Sequence, residues 1–178
     1  MKFRILGHAC LEVEAGGMRL ICDPWLAGSA YWRSWWNFPP VPDALLDGLA
    51  PDVIYLSHLH WDHFHGPTLR RLGLDRTILV PRTPDQRIVG DLRKMGCRDV
   101  RELEHGRPIE LGPGLRITSY QIGPFTDSAL VIEDGATTLL NANDAKLMGA
   151  PLRQLLKRHP KIDFALRSCP LGELGEPV

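Results

Sequence analysis

Val53-Ile54-Tyr55-Leu56-Ser57-His58-Leu59-His60-Trp61-Asp62-His63-Phe64-His65 is the stretch on which the fold of this chain turns. It opens with an apolar, partly β-branched run introduced by Pro51-Asp52, which predicts a buried strand. Four histidines and an aspartate then fall within the eight residues from His58 to His65, although the whole 178-residue chain holds only seven histidines. Imidazole and carboxylate are the ligands that borderline divalent metals such as zinc and iron prefer. Side chains two apart project to the same side of an extended segment, so His58 and His60 leave the strand together. Asp62 and His63 come from the turn leading into the next helix, and two adjacent metal centres become possible. The bland alternative is a solvated, histidine-rich loop; the directly preceding buried strand argues against it.

Upstream of this run, glycines break the chain into strands at Phe3 to Leu6, Ala9 to Glu14 and Met18 to Cys22, an antiparallel start. Asp23-Pro24 ends the third, and a long aromatic loop follows from Trp25 through Phe38. Asp43 to Leu49 is expected to be a short helix capped by Asp43. Downstream, Gly66-Pro67-Thr68 introduces a helix, Thr68 to Leu72, with strands at Thr77 to Val80, Val100 to Leu103, Ile109 to Leu111 and Leu115 to Gln121. A helix from about Pro84 to Met95 ends at Gly96. Ser128 to Glu133 and Thr137 to Asn141 read as a hairpin across Asp134-Gly135, and Ala150 to Arg158 as a helix.

Composition sets the frame. Apolar residues at 44% and charged residues at 24% predict one ordinary packed domain. Lys plus Arg and Asp plus Glu both number 21, so no net charge gathers nucleic acid or anionic lipid. With no apolar run of membrane-spanning length and no signal-like start, a cytoplasmic protein without membrane or nucleic-acid partners is expected. The four cysteines lie far apart and read as buried or incidental thiols.

The pattern His-x-His-x-Asp-His after a short apolar strand resembles the metallo-β-lactamase superfamily. Gly7-His8-Ala9-Cys10, Cys22-Asp23-Pro24-Trp25-Leu26 and Leu140-Asn141-Ala142-Asn143-Asp144 are similar to the subgroup containing the corresponding domains of CMP-N-acetylneuraminate hydroxylase and bacterial sugar-nucleotide hydroxylases. The resemblance implies an α/β fold, a four-layer αββα sandwich, spanning residues 1–170 and incomplete at its C-terminal side, with 171–178 as a tail. It assigns His58 and His60 to a first metal, Asp62 and His63 to a second, and Asp144 to the bridge between them. A third histidine is expected near Gly123-Pro124-Phe125-Thr126-Asp127-Ser128, where the sequence offers only Asp127 as a substitute ligand or a surface aspartate. Nor is a final histidine found: His159, before Pro160, reads as a helix C-cap.

The resemblance places His8 near the metal loop as a ligand, a supporting donor or a substrate contact; on its own it reads as a satisfied core histidine. Asp23 is expected to hold the histidine loop by hydrogen bonds rather than bind metal. The aromatic loop is either a structural lid or an apolar wall that stacks on substrate through Trp25, Trp32 and Trp36. A divalent metal, zinc ahead of iron or manganese, would make bound water acidic enough to act near neutral pH, with Asp62 orienting it. These expectations favour a metal-dependent hydrolase of a small molecule. Two alternatives stand beside it: a domain of a sugar-nucleotide hydroxylase served by a Rieske iron-sulfur partner, since this chain lacks the Cys-x-His and Cys-x-x-His pair, and a non-catalytic metal-binding or interaction module.

Overall fold

The computed structural model describes residues 1–123 and 127–168. In chain order the strands and helices are β1 (Lys2–Gly7), β2 (Cys10–Ala15), β3 (Met18–Cys22), β4 (Ser29–Ala30), β5 (Trp35–Trp36), α1 (Asp43–Asp47), β6 (Val53–Tyr55), α2 (Gly66–Leu72), β7 (Thr77–Pro81), α3 (Arg87–Met95) and β8 (Val100–Leu103). They continue with β9 (Pro108–Gly112), β10 (Leu115–Gln121), β11 (Ser128–Glu133), β12 (Thr138–Asn143), α4 (Gly149–Arg158) and β13 (Phe164–Arg167).

β1, β2 and β3 form the expected antiparallel meander, after which β3, β6, β7 and β8 pair in parallel. The result is a six-stranded sheet in the order β1-β2-β3-β6-β7-β8. The turn between β2 and β3 requires glycine: Gly16 has φ of +58°, and a Cβ there would stand 2.5 Å from the Pro113 carbonyl oxygen. A five-stranded sheet, β13-β12-β11-β10-β9, packs against the first.

Three apolar layers separate these elements. Leu46, Leu69, Ile88 and Leu92 of the first three helices cover Ile21, Ile54 and Ile78. Between the sheets, Leu20, Val53, Tyr55 and Leu79 meet Leu115, Ile117, Leu130 and Leu139. On the far side, Leu155 of α4 packs with Val131, Leu140 and Ala142. Helix, sheet, sheet, helix is the αββα order that the resemblance implied. β6 is buried on both faces, Ile54 toward the helices and Val53 and Tyr55 toward the second sheet, which explains its unbroken apolar run.

Several details depart from expectation. Asp43 does not cap α1; the N-cap is Pro42, and Asp43 instead accepts from Arg71 Nη1 at 2.6 Å. α3 starts at Arg87 because Gln86 takes a left-handed conformation, φ 49°, that interrupts the helix started at Pro84 in the sequence-based expectation. The aromatic loop contains the small β4–β5 hairpin, joined through Tyr31, Trp32 and Arg33, all with positive φ. β13 was not anticipated. Cys10, Cys22 and Cys97 are buried and free, whereas Cys169 and the expected tail, 171–178, lie outside the described residues. Among the described residues no helix is long and apolar enough to cross a membrane.

Candidate metal centre

The site is assembled at the ends of β3, β6 and β12. β3 stops at Cys22, and Asp23, with φ 46°, turns its fully buried carboxylate beneath the loop that follows β6. There Asp23 accepts from Ser57 N at 2.7 Å, from Ser57 Oγ at 2.8 Å and from Asn143 Nδ2. Its Oδ2 also lies 3.2 Å from His63 Nδ1. Burial alone would raise the Asp23 pKa, but the charge and hydrogen bonding of His63 and the Ser57 amide hold it below the ordinary value.

Above this buried carboxylate the loop side chains converge. His58 Nε2 and His60 Nδ1 face each other at 2.8 Å, and His58 Nδ1 is 2.9 Å from Ser57 Oγ. Burial, then the neighbouring charge of His63, pushes the His58 pKa down, so its ring is neutral and keeps a lone pair. Asp62 Oδ2 accepts from His8 Nε2 at 2.8 Å, and its Oδ1 accepts from the Tyr31 hydroxyl at 2.6 Å. Against the effect of burial, donors on His63, His8 and Tyr31 hold the Asp62 carboxyl far below the ordinary range.

His63 is the centre of the arrangement. Its Nε2 stands 3.4 Å from Asp62 Oδ2 and 3.2 Å from Asp144 Oδ2. Burial opposes its charge, yet the field of Asp23, aided by Asp144 and Asp62, raises its pKa to about 12. Asp144 is in turn lowered, chiefly by its bond to His63 and against the opposing effect of burial. Asp127 Oδ1 lies 3.6 Å from His58 Nε2.

Three sets of donors form here, each with its ligating atoms within 4.8 Å of one another: His58, His60 and Asp127; His58, His63 and Asp144; His8, Asp62 and His63. These residues fit a divalent cation. His63 Nε2 is buried without a well-formed hydrogen bond although two carboxylates face it, the situation that a shared cation relieves.

Comparison with known proteins gives the family. The model of the β-lactamase superfamily domain matches residues 2–149. The chain belongs to the β-lactamase superfamily. Over 156 residues it is 33% identical to a protein of Mycolicibacterium smegmatis named as a Rieske 2Fe-2S iron-sulfur protein, covering 82% of this chain and 30% of that one. Over 158 residues it is 31% identical to the cytidine monophosphate-N-acetylneuraminic acid hydroxylase of Mus musculus, covering 81% of this chain and 26% of that one. The chain thus spans under a third of these relatives. In fold it is similar to CmlA, a diiron β-hydroxylase from Streptomyces venezuelae, with TM-score 0.67, 21% identity, and coverage of 92% of this chain and 33% of that one. It is also similar to an isothiocyanate hydrolase from Delia radicum gut bacteria, with TM-score 0.70, 21% identity, and coverage of 89% and 67%.

Within this superfamily frame the structure brings His58, His60, Asp62, His63, Asp127 and Asp144 to one place. Asp144 stands near both His58 and His63, and Asp127 sits where the first donor set has no third histidine. Asp23 contacts the loop through Ser57 and His63 and stands in none of the three donor sets. His8 joins Asp62. Of the three tryptophans expected to meet substrate, Trp25 is only 2% exposed and packs edge-on to His8 at 5.2 Å, so it supports the site from below rather than forming a wall. Trp32 and Trp36 are exposed, Trp32 lying edge-on to Trp61 at 4.5 Å.

His65, with no role assigned from sequence, caps α2: its Nδ1 accepts from Thr68 N at 3.4 Å and lies 2.9 Å from Thr68 Oγ1. His159 is the C-cap of α4, as expected, and hydrogen-bonds the Tyr120 hydroxyl at 2.8 Å. Sequence reasoning did not single out Tyr31, which lies 31 positions from its partner Asp62, or Ser57, whose position next to His58 was the available signal.

Proposed function

We propose that His58, His60, Asp62, His63, Asp127 and Asp144 hold one or two divalent metal ions and that the chain is the catalytic part of a metal-dependent hydrolase acting on a small molecule. When bound, such an ion supplies Lewis acidity and renders water acidic enough to react near neutral pH. The supporting observation is the state of Asp62: its carboxylate is ionised, fixed by His8 and Tyr31, and adjacent to His63 and the other donors. An ionised carboxylate at that place accepts a proton from an attacking water and holds it in line. His58, kept neutral by burial, offers a lone pair; Asp23 fixes the loop so that these groups stay in register.

Zinc suits the three histidines, while the carboxylates Asp62, Asp127 and Asp144 also suit iron and manganese. A second reading, oxidation in concert with a Rieske iron-sulfur partner, is favoured by the names of the relatives at 31% and 33% identity.

Metal-loaded protein assayed against phosphodiester, thioester and lactone substrates separates the two. Turnover without oxygen that is lost in Asp62→Asn supports hydrolysis. Oxygen consumption that requires a reduced Rieske protein, with no hydrolytic turnover, replaces it by the second reading.

A further inference from the structure

A cleft of about 440 Å³ opens beside the donor cluster, and its lining mixes charged, amide and apolar groups. His8, Asn143 and Asp144 of the metal site line it together with the apolar residues Ile5, Leu11 and Leu166 and with the exposed Arg167. Arg167 pairs with Asn143 at the irregular end of the parallel β12–β13 ladder, so its backbone stands beside the strand end that leads into Asp144. Among the described residues its guanidinium has neither a hydrogen bond nor an ion pair, in a chain whose other cleft-side charges are committed to one another. An uncommitted guanidinium on an apolar cleft is a receptor for a planar or tetrahedral oxyanion, which it can hold through paired N–H donors. The volume suits one small molecule.

We propose that this cleft selects an anionic small molecule, its carboxylate or phosphate on Arg167, its apolar body against Ile5, Leu11 and Leu166, and its reacting bond toward His8 and Asp144. The identity of the reacting end rests on the hydrolase reading; the anion subsite does not.

The test is ligand-observed NMR with benzoate, phenylphosphonate and the neutral benzamide on the protein as purified, on Arg167→Gln and on Arg167→Lys. The expected result is that at least one anion binds tenfold or more tightly than benzamide, that Arg167→Gln abolishes the preference, and that Arg167→Lys keeps most of it. Whichever anion binds more tightly names the headgroup. An anion held by bound metal alone would be insensitive to Arg167→Gln, so an unchanged preference in that variant overturns the proposal, as does no preference in the unmodified chain. Arginine-dependent anion binding in a protein that hydrolyses none of the substrates above would leave the subsite standing and remove the hydrolase reading.

Discussion

The Tyr31 hydroxyl donates to Asp62 Oδ1 at 2.6 Å, across 31 positions of sequence, while the Tyr31 ring stacks on Trp61 at 5.8 Å with an interplanar angle of 15°. The stacking places the hydroxyl, and the hydroxyl fixes which oxygen of Asp62 is left facing His63. Three successive non-glycine residues with positive φ, Tyr31, Trp32 and Arg33, carry the turn that makes this possible. Such conformations are costly and persist only where surrounding contacts impose them.

Tyr31→Phe keeps the ring and removes the donor. Groups that orient ligands typically matter by tenfold to a hundredfold in metal affinity. Competition with a chromophoric chelator should show metal affinity weakened by about tenfold, with an unchanged fold by circular dichroism. Unaltered affinity would mean that Asp62 is positioned without Tyr31.

Asp23→Ala empties a fully buried carboxylate position that serves Ser57, Asn143 and His63. Leaving those partners unpaired should cost about 3–5 kcal/mol, as breaking a buried charge pair does. Urea unfolding measures it, and a loss below about 1 kcal/mol, the size of an ordinary exposed pair, would contradict the role given to Asp23.

Protonation of His63 links stability to pH in the protein stripped of metal. Its pKa is raised from an ordinary value near 6.5 to about 12, so its contribution is complete below about pH 6.5 and fades as pH rises toward 12. Asp23, Asp62 and Asp144 have lowered pKa values, so theirs is present above about pH 4 and lost in acid. Because His58 and His65, with lowered pKa values, cost stability as pH falls below about 6.5, chelator-treated protein should be most stable near pH 6.5 and weaken by pH 9. Metal requires neutral His63, so metal binding near pH 7 should release a proton, read by calorimetry in buffers of different ionisation enthalpy. Stability that climbs from pH 6.5 to 9 would contradict this.

His65→Ala should behave unlike its neighbours in the histidine run. Loss of the α2 cap costs about 1 kcal/mol in urea unfolding, with metal content unchanged. Metal loss equal to that of His58→Ala would make His65 a ligand.

The sequence carried much of this because the strongest signals are local. Val53 to Leu56 is apolar at every position because β6 is buried on both faces, and the histidine spacing follows directly from a strand running into a turn. Met18 to Cys22, Leu115 to Gln121 and the Asp134-Gly135 hairpin were legible from glycine punctuation and β-branched runs. What escaped depended on contacts distant in sequence. Trp25 reads as one more exposed aromatic until the packing of His8 and His65 around it is known. β13 is short and exposed along much of its length, so no apolar alternation marks it. The sequence left Asp127 open between a substitute ligand and a surface aspartate until its proximity to His58 was known, and Asp43 reads as a cap until Arg71 is seen to claim it.

The central claim is that the histidine run holds metal, and equilibrium metal binding tests it most directly. Metal-stripped protein and the His58→Ala, His60→Ala double variant would each be titrated with zinc, ferrous iron and manganese, and bound metal counted by elemental analysis after desalting. The predicted result is stoichiometric retention of at least one of these ions by the unmodified chain and its loss or sharp weakening in the double variant. Absence of stoichiometric metal from the unmodified chain, or equal retention by both proteins, would contradict the account.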